Sequence, residues 1–199
     1  MRLPDSDRDL VLDVQNADRE GREMLFRTLY DRHKDRVYSL CSRITGNGTD
    51  ALDAAQATFC VVFRTIDGFR FQSRFSSWLH RIAVNCSYDV LRARARVRAE
   101  QTPTLLSGGG LDSAQDPAAQ SPDASLAKED LERVVHEAVA RLTPRLRTVV
   151  ALRYFEEHSY EEIAEILGTS MGTVKSRLFR AHEALSRKLG PTCGAGGLR

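Results

Sequence analysis

The side chains of this chain best suited to chemistry are its cations, and they fall in two groups. Between Lys175 and Lys188 stand five bases (Lys175, Arg177, Arg180, Arg187 and Lys188) against one acid, Glu183. The preceding stretch, Glu156–Glu165, carries five acids and no Lys or Arg. Projection at about 3.6 residues per turn with Val174 inward turns Lys175, Ser176, Phe179 and Arg180 outward and puts Arg177 on the flank. Two cations, a hydroxyl and a ring on one face suit phosphates and base edges, the chemistry of a helix lying in a DNA groove. The alternative is a solvated face with a stray phenylalanine, but exposed phenylalanine is unusual.

The second group runs from Arg64 to Arg98, with eight arginines and two aspartates. Its end, Arg92-Ala-Arg-Ala-Arg-Val-Arg98, spreads positive charge around a helix, as a phosphate backbone requires. Phe69, Phe71, Phe75, Trp78 and Tyr88 are interleaved with it. Cations that hold phosphates beside rings that accept unstacked bases are what single-stranded DNA binding needs. A core role is the competing reading of these rings. It is favoured for Phe75 and left open for Trp78. Catalytic constellations are missing. There is no G-x-x-x-x-G-K loop, no metal-ligand spacing and no nucleophile–base pairing, and the five histidines are isolated. No enzyme, cofactor, metal or small-molecule substrate is expected. His33 and His80 read as residues on helix faces rather than ligands. Cys41, Cys60 and Cys86 read as buried thiols, while Cys193, in a glycine-rich tail, is open to a redox role.

The elements that must position these groups read as helices. Leu25, Phe26, Leu29, Tyr30, Val37, Tyr38, Cys41 and Ile44 recur at spacings of three and four. After the Gly46-Asn47-Gly48 break, Thr49 or Asp50 is expected to cap a second helix with Leu52, Ala55, Phe59, Val62, Phe63 and Ile66 inward. A third starts near Ser76, with Trp78, Leu79, Ile82, Ala83 and Cys86 inward. Further on, helices are expected over Leu126–Leu142 and Pro144–Phe155. Ser159 and Glu162 then form a capping box, Gly168 a stop and Ser170 a new cap, which together make a helix-turn-helix. Between them, Ala99–Ala127 holds three prolines, a triple glycine, four acids and no Lys or Arg. Such a segment buries too little to offset the entropy of ordering it. The expected organisation is all-α: a helical domain over 1–98, a flexible acidic linker over 99–127, a helix-turn-helix domain over 128–190 and a disordered tail over 191–199. No apolar run approaches the roughly 20 residues that span a bilayer, and no signal-peptide core is present. A cytoplasmic protein without membrane insertion is expected.

Several blocks carry a family resemblance. Leu142-Thr-Pro-Arg-Leu-Arg-Thr-Val, Leu152-Arg-Tyr-Phe, Ser159-Tyr-Glu-Glu-Ile-Ala-Glu-Ile-Leu-Gly and Gly172-Thr-Val-Lys-Ser-Arg-Leu-Phe-Arg-Ala resemble region four of extracytoplasmic-function sigma factors of the sigma-70 superfamily. Asp50-Ala-Leu-Asp-Ala-Ala-Gln-Ala-Thr-Phe and Phe75-Ser-Ser-Trp-Leu-His-Arg-Ile-Ala-Val-Asn resemble region two. The resemblance implies a bacterial transcription initiation factor that takes core RNA polymerase to promoter DNA and is held by an anti-sigma factor. It puts Asp50, Asp53 and Gln56 at the polymerase. Phe69, Arg74, Trp78, Arg81, Asn85, Asp89 and Arg92 fall at the minus-ten element, with Phe69 near a flipped-out base. Thr173, Lys175, Ser176, Phe179 and Arg180 fall at the minus-thirty-five element. The chain departs from the family at Leu52 and Ala57, where carboxylates are usual, and at Phe63, where tryptophan is. The rival is a stand-alone helix-turn-helix regulator, which would need a ligand pocket or phosphoacceptor in the first module, and neither is visible.

Overall fold

The computed structural model describes residues 7–101 and 137–189. Among them there is no strand. Helices α1 (Arg8–Asn16), α2 (Arg19–Thr45), α3 (Gly48–Thr65) and α4 (Phe75–Gln101) form the first bundle, with a 3-10 turn at Ile66–Gly68. Residues 137–140 are helical, followed by α5 (Pro144–Val150), a π turn over Ala151–Phe155, α6 (Tyr160–Leu167) and α7 (Met171–Leu189). Most of the expected linker, the tail with Cys193 and most of the expected Leu126–Leu142 helix lie outside the described residues. Helix α4 continues past Arg98 to Gln101.

Local chemistry sets the helix ends. The Asn47 side chain, not Thr49 or Asp50, caps α3 by accepting from the Asp50 amide at 3.0 Å. Gly46, at φ +74°, closes α2 in the left-handed region that glycine tolerates. Ser159 and Glu162 complete the capping box of α6, and Gly168, at φ +58°, ends it. The inward face of α3 is Ala51, Ala54, Thr58, Phe59 and Val62. Leu52 and Phe63, expected inside, are exposed, because small residues at three- and four-residue spacing bring α3 close to its neighbours. Cys60 follows them outward, against expectation, while Cys41 and Cys86 are buried. Burial pushes the Cys41 thiol up to about 11, which leaves it protonated and inert.

The two helical groups share one core. Leu79 and Ala83 of α4 belong to the same buried cluster as Val149, Leu152, Ile163 and Ile166. Polar bonds cross the same seam. Arg36 Nε donates to Glu156 at 2.8 Å, a His80 nitrogen bonds a His158 nitrogen at 2.8 Å, and Tyr88 bonds the Thr148 hydroxyl at 2.9 Å. The Arg147 guanidinium reaches the carbonyls of Thr45 and Ala140, at 3.5 and 3.2 Å. It fills the space where any side chain at Gly46 would stand, at the negative end of α2. His33 and His80 do lie on helix faces as expected, but both are buried, and His33 meets the Asp7 carboxylate at 3.0 Å.

The histidine pair makes this seam sensitive to pH. Burial, then the charges of His158, Arg36 and His33, lower the His80 pKa from 6.5 to about 3. Burial also lowers that of His158, opposed by Glu162 and reinforced by Arg36 and Arg74. Closing the seam therefore expels protons that the open chain binds, so closure is complete above about 6.5 and weakens as pH falls. Glu156 acts oppositely, because burial raises its pKa despite Arg36 and Arg43. Trp78, the single tryptophan, lies half-buried beside the seam. Its emission should shift to the red as pH falls from about 6.5 towards about 3. The shift should shrink in His158→Gln. Emission independent of pH across that window would contradict the closure.

Candidate nucleic-acid interface

Helix α7 presents the first candidate surface. Ser170 Oγ accepts from the Thr173 amide at 3.2 Å and starts the helix. Val174, Leu178 and Ala181 are buried, while Lys175, Ser176 and Arg180 are exposed and Phe179 is 64% exposed. The face projected from the sequence is thus the one left open. Thr173 is half-buried, its hydroxyl 3.0 Å from that of Ser170, and Arg177 is half-buried on the flank. The sequence did not signal Tyr154, which is exposed on the π turn and bonds His182 of α7 at 2.6 Å.

The second candidate surface is a stripe on α4. Arg81, Asn85, Asp89 and Arg92 follow Trp78 at three- and four-residue spacing, and all four are exposed. Asp89 and Arg92 pair with each other, so the outer end of the stripe carries little net charge. Arg74, half-buried, lies 3.9 Å from Glu162 of α6. A groove of about 360 Å³ runs between Gln72, Ser73, Ser77, Trp78 and Arg81 on one side and Glu165 and Ile166 on the other.

Phe69, expected near a flipped base, is buried in this structure. It is 6% exposed and packs among Phe71, Phe75 and Trp78, with ring centroids 4.9 to 5.8 Å apart. An aromatic ring flanked by three others gains more from burial than from water, so it anchors the loop rather than facing out of it. Phe75, 1% exposed, is core, and Trp78 is shared between core and surface.

Sequence reading missed helix α1 and the control it exerts on this loop. Gln15 Nε2 donates to the carbonyls of Ile66 and Phe69, at 2.7 and 3.0 Å. Arg8 lies over the Phe71 ring at 4.8 Å, and Phe71 sits at φ +57°, a strained value for a phenylalanine. Asp7 ties α1 to Arg32 and His33 of α2. Burial alone would raise the Asp7 pKa, but the bonds from His33 and Arg32 outweigh it and hold the carboxyl below the usual range. Leu10, Val11 and Val14 carried a helical period that could have revealed α1.

The third set, on α3, is divided. Asp53 and Gln56 are exposed beside Leu52, itself 60% exposed. Asp50 is half-buried and accepts from Arg94 of α4 at 2.6 Å, which ties α3 to α4. Ala57 is half-buried. Among the described residues no group of His, Cys, Asp or Glu can hold a metal ion, and no helix is long and apolar enough to cross a membrane. Phe69→Ala should destabilise the first bundle by roughly 3–5 kcal/mol, since it empties a filled aromatic site. Urea unfolding followed by circular dichroism checks this, and an unchanged midpoint would return Phe69 to the surface.

Residues 29–97 match the family described as sigma-70 region 2, and residues 132–185 match sigma-70, region 4. The RNA polymerase sigma-H factor of Pseudomonas aeruginosa is 34% identical over 197 residues, which cover 96% of this chain and 97% of that protein. The ECF RNA polymerase sigma-E factor of Escherichia coli is 36% identical over 192 residues, covering 94% and 95%. Among solved structures, CnrH in complex with the cytosolic domain of CnrY aligns with a TM-score of 0.62 at 26% identity, over 94% of this chain and 99% of that one. The sigma factor RpoE of Bartonella quintana, solved with the anti-sigma factor NepR, shares the fold with a TM-score of 0.63 at 24% identity, over 83% and 96%.

Proposed function

We infer the function from one premise: the chain belongs to the sigma-70 family and, within it, to the extracytoplasmic-function (ECF) sigma factors. It binds core RNA polymerase and directs promoter-specific transcription initiation by reading the minus-ten and minus-thirty-five elements. A stand-alone helix-turn-helix regulator is overturned by the region 2 match over residues 29–97. Sigma factors are not enzymes, and this reading assigns the chain no catalytic step.

The finer assignments are our proposal. Lys175, Ser176, Phe179 and Arg180, with Thr173 at the helix start, read the minus-thirty-five groove. The observation that supports this most is their shared exposure on one face of α7. Trp78, Arg81, Asn85, Asp89 and Arg92 of α4, with Arg74 at its start, meet the minus-ten strand. Phe69 supports the capturing loop from beneath. Asp53 and Gln56 meet polymerase across the open face of α3, with Leu52 supplying apolar area where a carboxylate is usual. Asp50 contributes by fixing α3 against α4. An anti-sigma factor holds the chain, as in the complex of the Bartonella quintana RpoE, and the chain works in the cytoplasm.

Run-off transcription tests this reading. With core polymerase, the chain should start transcripts at defined sites that core alone does not use. Arg180→Ala should weaken binding to the promoters so found by roughly 1–3 kcal/mol and relax preference at one minus-thirty-five position. Failure to bind core at micromolar concentration would sink the reading. An Arg180→Ala protein with unchanged affinity and preference would show that the wrong face of α7 was chosen.

A further inference from the structure

Helix α1 reaches the loop that heads the proposed minus-ten stripe, and it does so through one amide. Val11 and Val14, both fully buried in the shared core, fix the rotation of α1. That rotation aims the half-buried Gln15 at the 3-10 turn over Ile66–Gly68. Gln15 Nε2 donates to the Ile66 carbonyl at 2.7 Å and to the Phe69 carbonyl at 3.0 Å, which uses both N–H groups of the amide. The Phe69 amide donates to the same Ile66 carbonyl at 3.0 Å, so one small network closes at the first residue of the loop. Ile66 and Phe69 are buried, and water does not readily replace a lost donor there.

Two residues on, Phe71 stands at φ +57°, which a phenylalanine keeps only where its surroundings hold it. Its ring lies between the Phe69 ring, with centroids 4.9 Å apart, and the Arg8 guanidinium of α1, 4.8 Å from its centroid. Helix α1 therefore holds the loop at its entry and at its strained residue. Arg22 of α2 takes Asp67 and the Phe63 carbonyl, and so holds the turn but not the loop. Strain held from outside in this way gathers at ligand clamps, where backbone shape selects the ligand.

We propose that Gln15 is a positioning residue for base selection at the minus-ten element: its two bonds hold the loop over residues 69–74 in the shape that fits the captured base. This rests on the reading of that loop as the base-capturing one. Gln15 acts through Phe69 and Phe71 rather than on the base. Without its amide the loop relaxes toward unstrained backbone and fits all bases poorly. The preferred base loses the most, because it alone used the full fit.

The test uses the full chain with core polymerase and fork-junction DNA built from promoters located by run-off transcription. Each minus-ten position is set in turn to all four bases. The variants are Gln15→Met, of similar length without the donors, and Gln15→Lys, whose ammonium restores donors to the same carbonyls. Wild type should strongly prefer one base at one minus-ten position. In Gln15→Met that preference should fall about tenfold, with core polymerase and duplex minus-thirty-five DNA bound as before. Gln15→Lys should recover most of it. A preference is a ratio, so the added charge cancels. Hydrogen exchange should show the amides of residues 70–73 opening faster in Gln15→Met, while those of α2 and α4 keep their rates. If Gln15→Met fails to fold, Arg8→Ala, at an exposed position, takes its place. Base preference stays the readout, because a lost phosphate contact weakens all bases alike. An unchanged preference would overturn the proposal, as would a preference lost equally in the lysine variant. Uniform weakening across the four bases with a lower melting temperature would also overturn it and leave Gln15 a structural role alone. If wild type shows no base preference at any minus-ten position, the minus-ten reading falls and the proposal with it.

Discussion

Arg36, His80, Glu156 and His158 meet at the seam between the two helical groups, and all but Arg36 are buried. A carboxylate taken out of water is costly unless it is paired, and a buried imidazole must stay neutral. These side chains meet both conditions largely through one another, with Arg43 also facing Glu156 and Glu162 facing His158. Arg36 pairs with Glu156, and the two rings share a bond. That mutual dependence makes the relative placement of α4 and α6 specific, where apolar contact alone would let them slide. Arg147, inserted at the end of α2, and the Tyr88–Thr148 bond hold the same placement at a second point.

What this seam covers and what it leaves open divides the surfaces of a sigma factor. The outward face of α7, with Phe179 and Arg180, stays in solvent, as do Asp53, Gln56 and Leu52 on α3. The stripe on α4 faces solvent too, and only its head, at Arg74 and Trp78, is half-buried beside α6. The loop at its head is held from below by Phe69 and from the side by Gln15 and Arg8 of α1, so its shape is set from within the bundle. For the proposed capture of an unstacked base, which costs a few kcal/mol, a loop already in shape adds no ordering cost.

The all-α class and the helix-turn-helix were legible because local rules decide them. The capping box at Ser159 and Glu162, the stop at Gly168 and the outward face of α7 follow from residues within one or two turns of each other. Asn47 was missed as a cap because Thr49 and Asp50 are equally good cap residues and only the backbone discriminates. Leu52 and Phe63 were placed inside by hydropathy, but the close helix contact belongs to Ala51 and Ala54, and small residues give a weak apolar signal. Helix α1 was short and its stripe of Leu10, Val11 and Val14 lay in a polar stretch. The seam was the least legible. Arg36 and Glu156 stand 120 positions apart, and His80 and His158 stand 78 apart, so no local pattern links them.

The central claim is that the free chain is closed along this seam and opens when it works. Electron–electron dipolar spectroscopy tests it most directly, with nitroxides on Arg27→Cys in α2 and Glu183→Cys in α7, both exposed positions, in a Cys60→Ser/Cys193→Ser background. The account predicts one narrow distance distribution in the free protein and a shift to longer distances on adding core polymerase. A broad distribution in the free protein, unchanged by core polymerase, would contradict it.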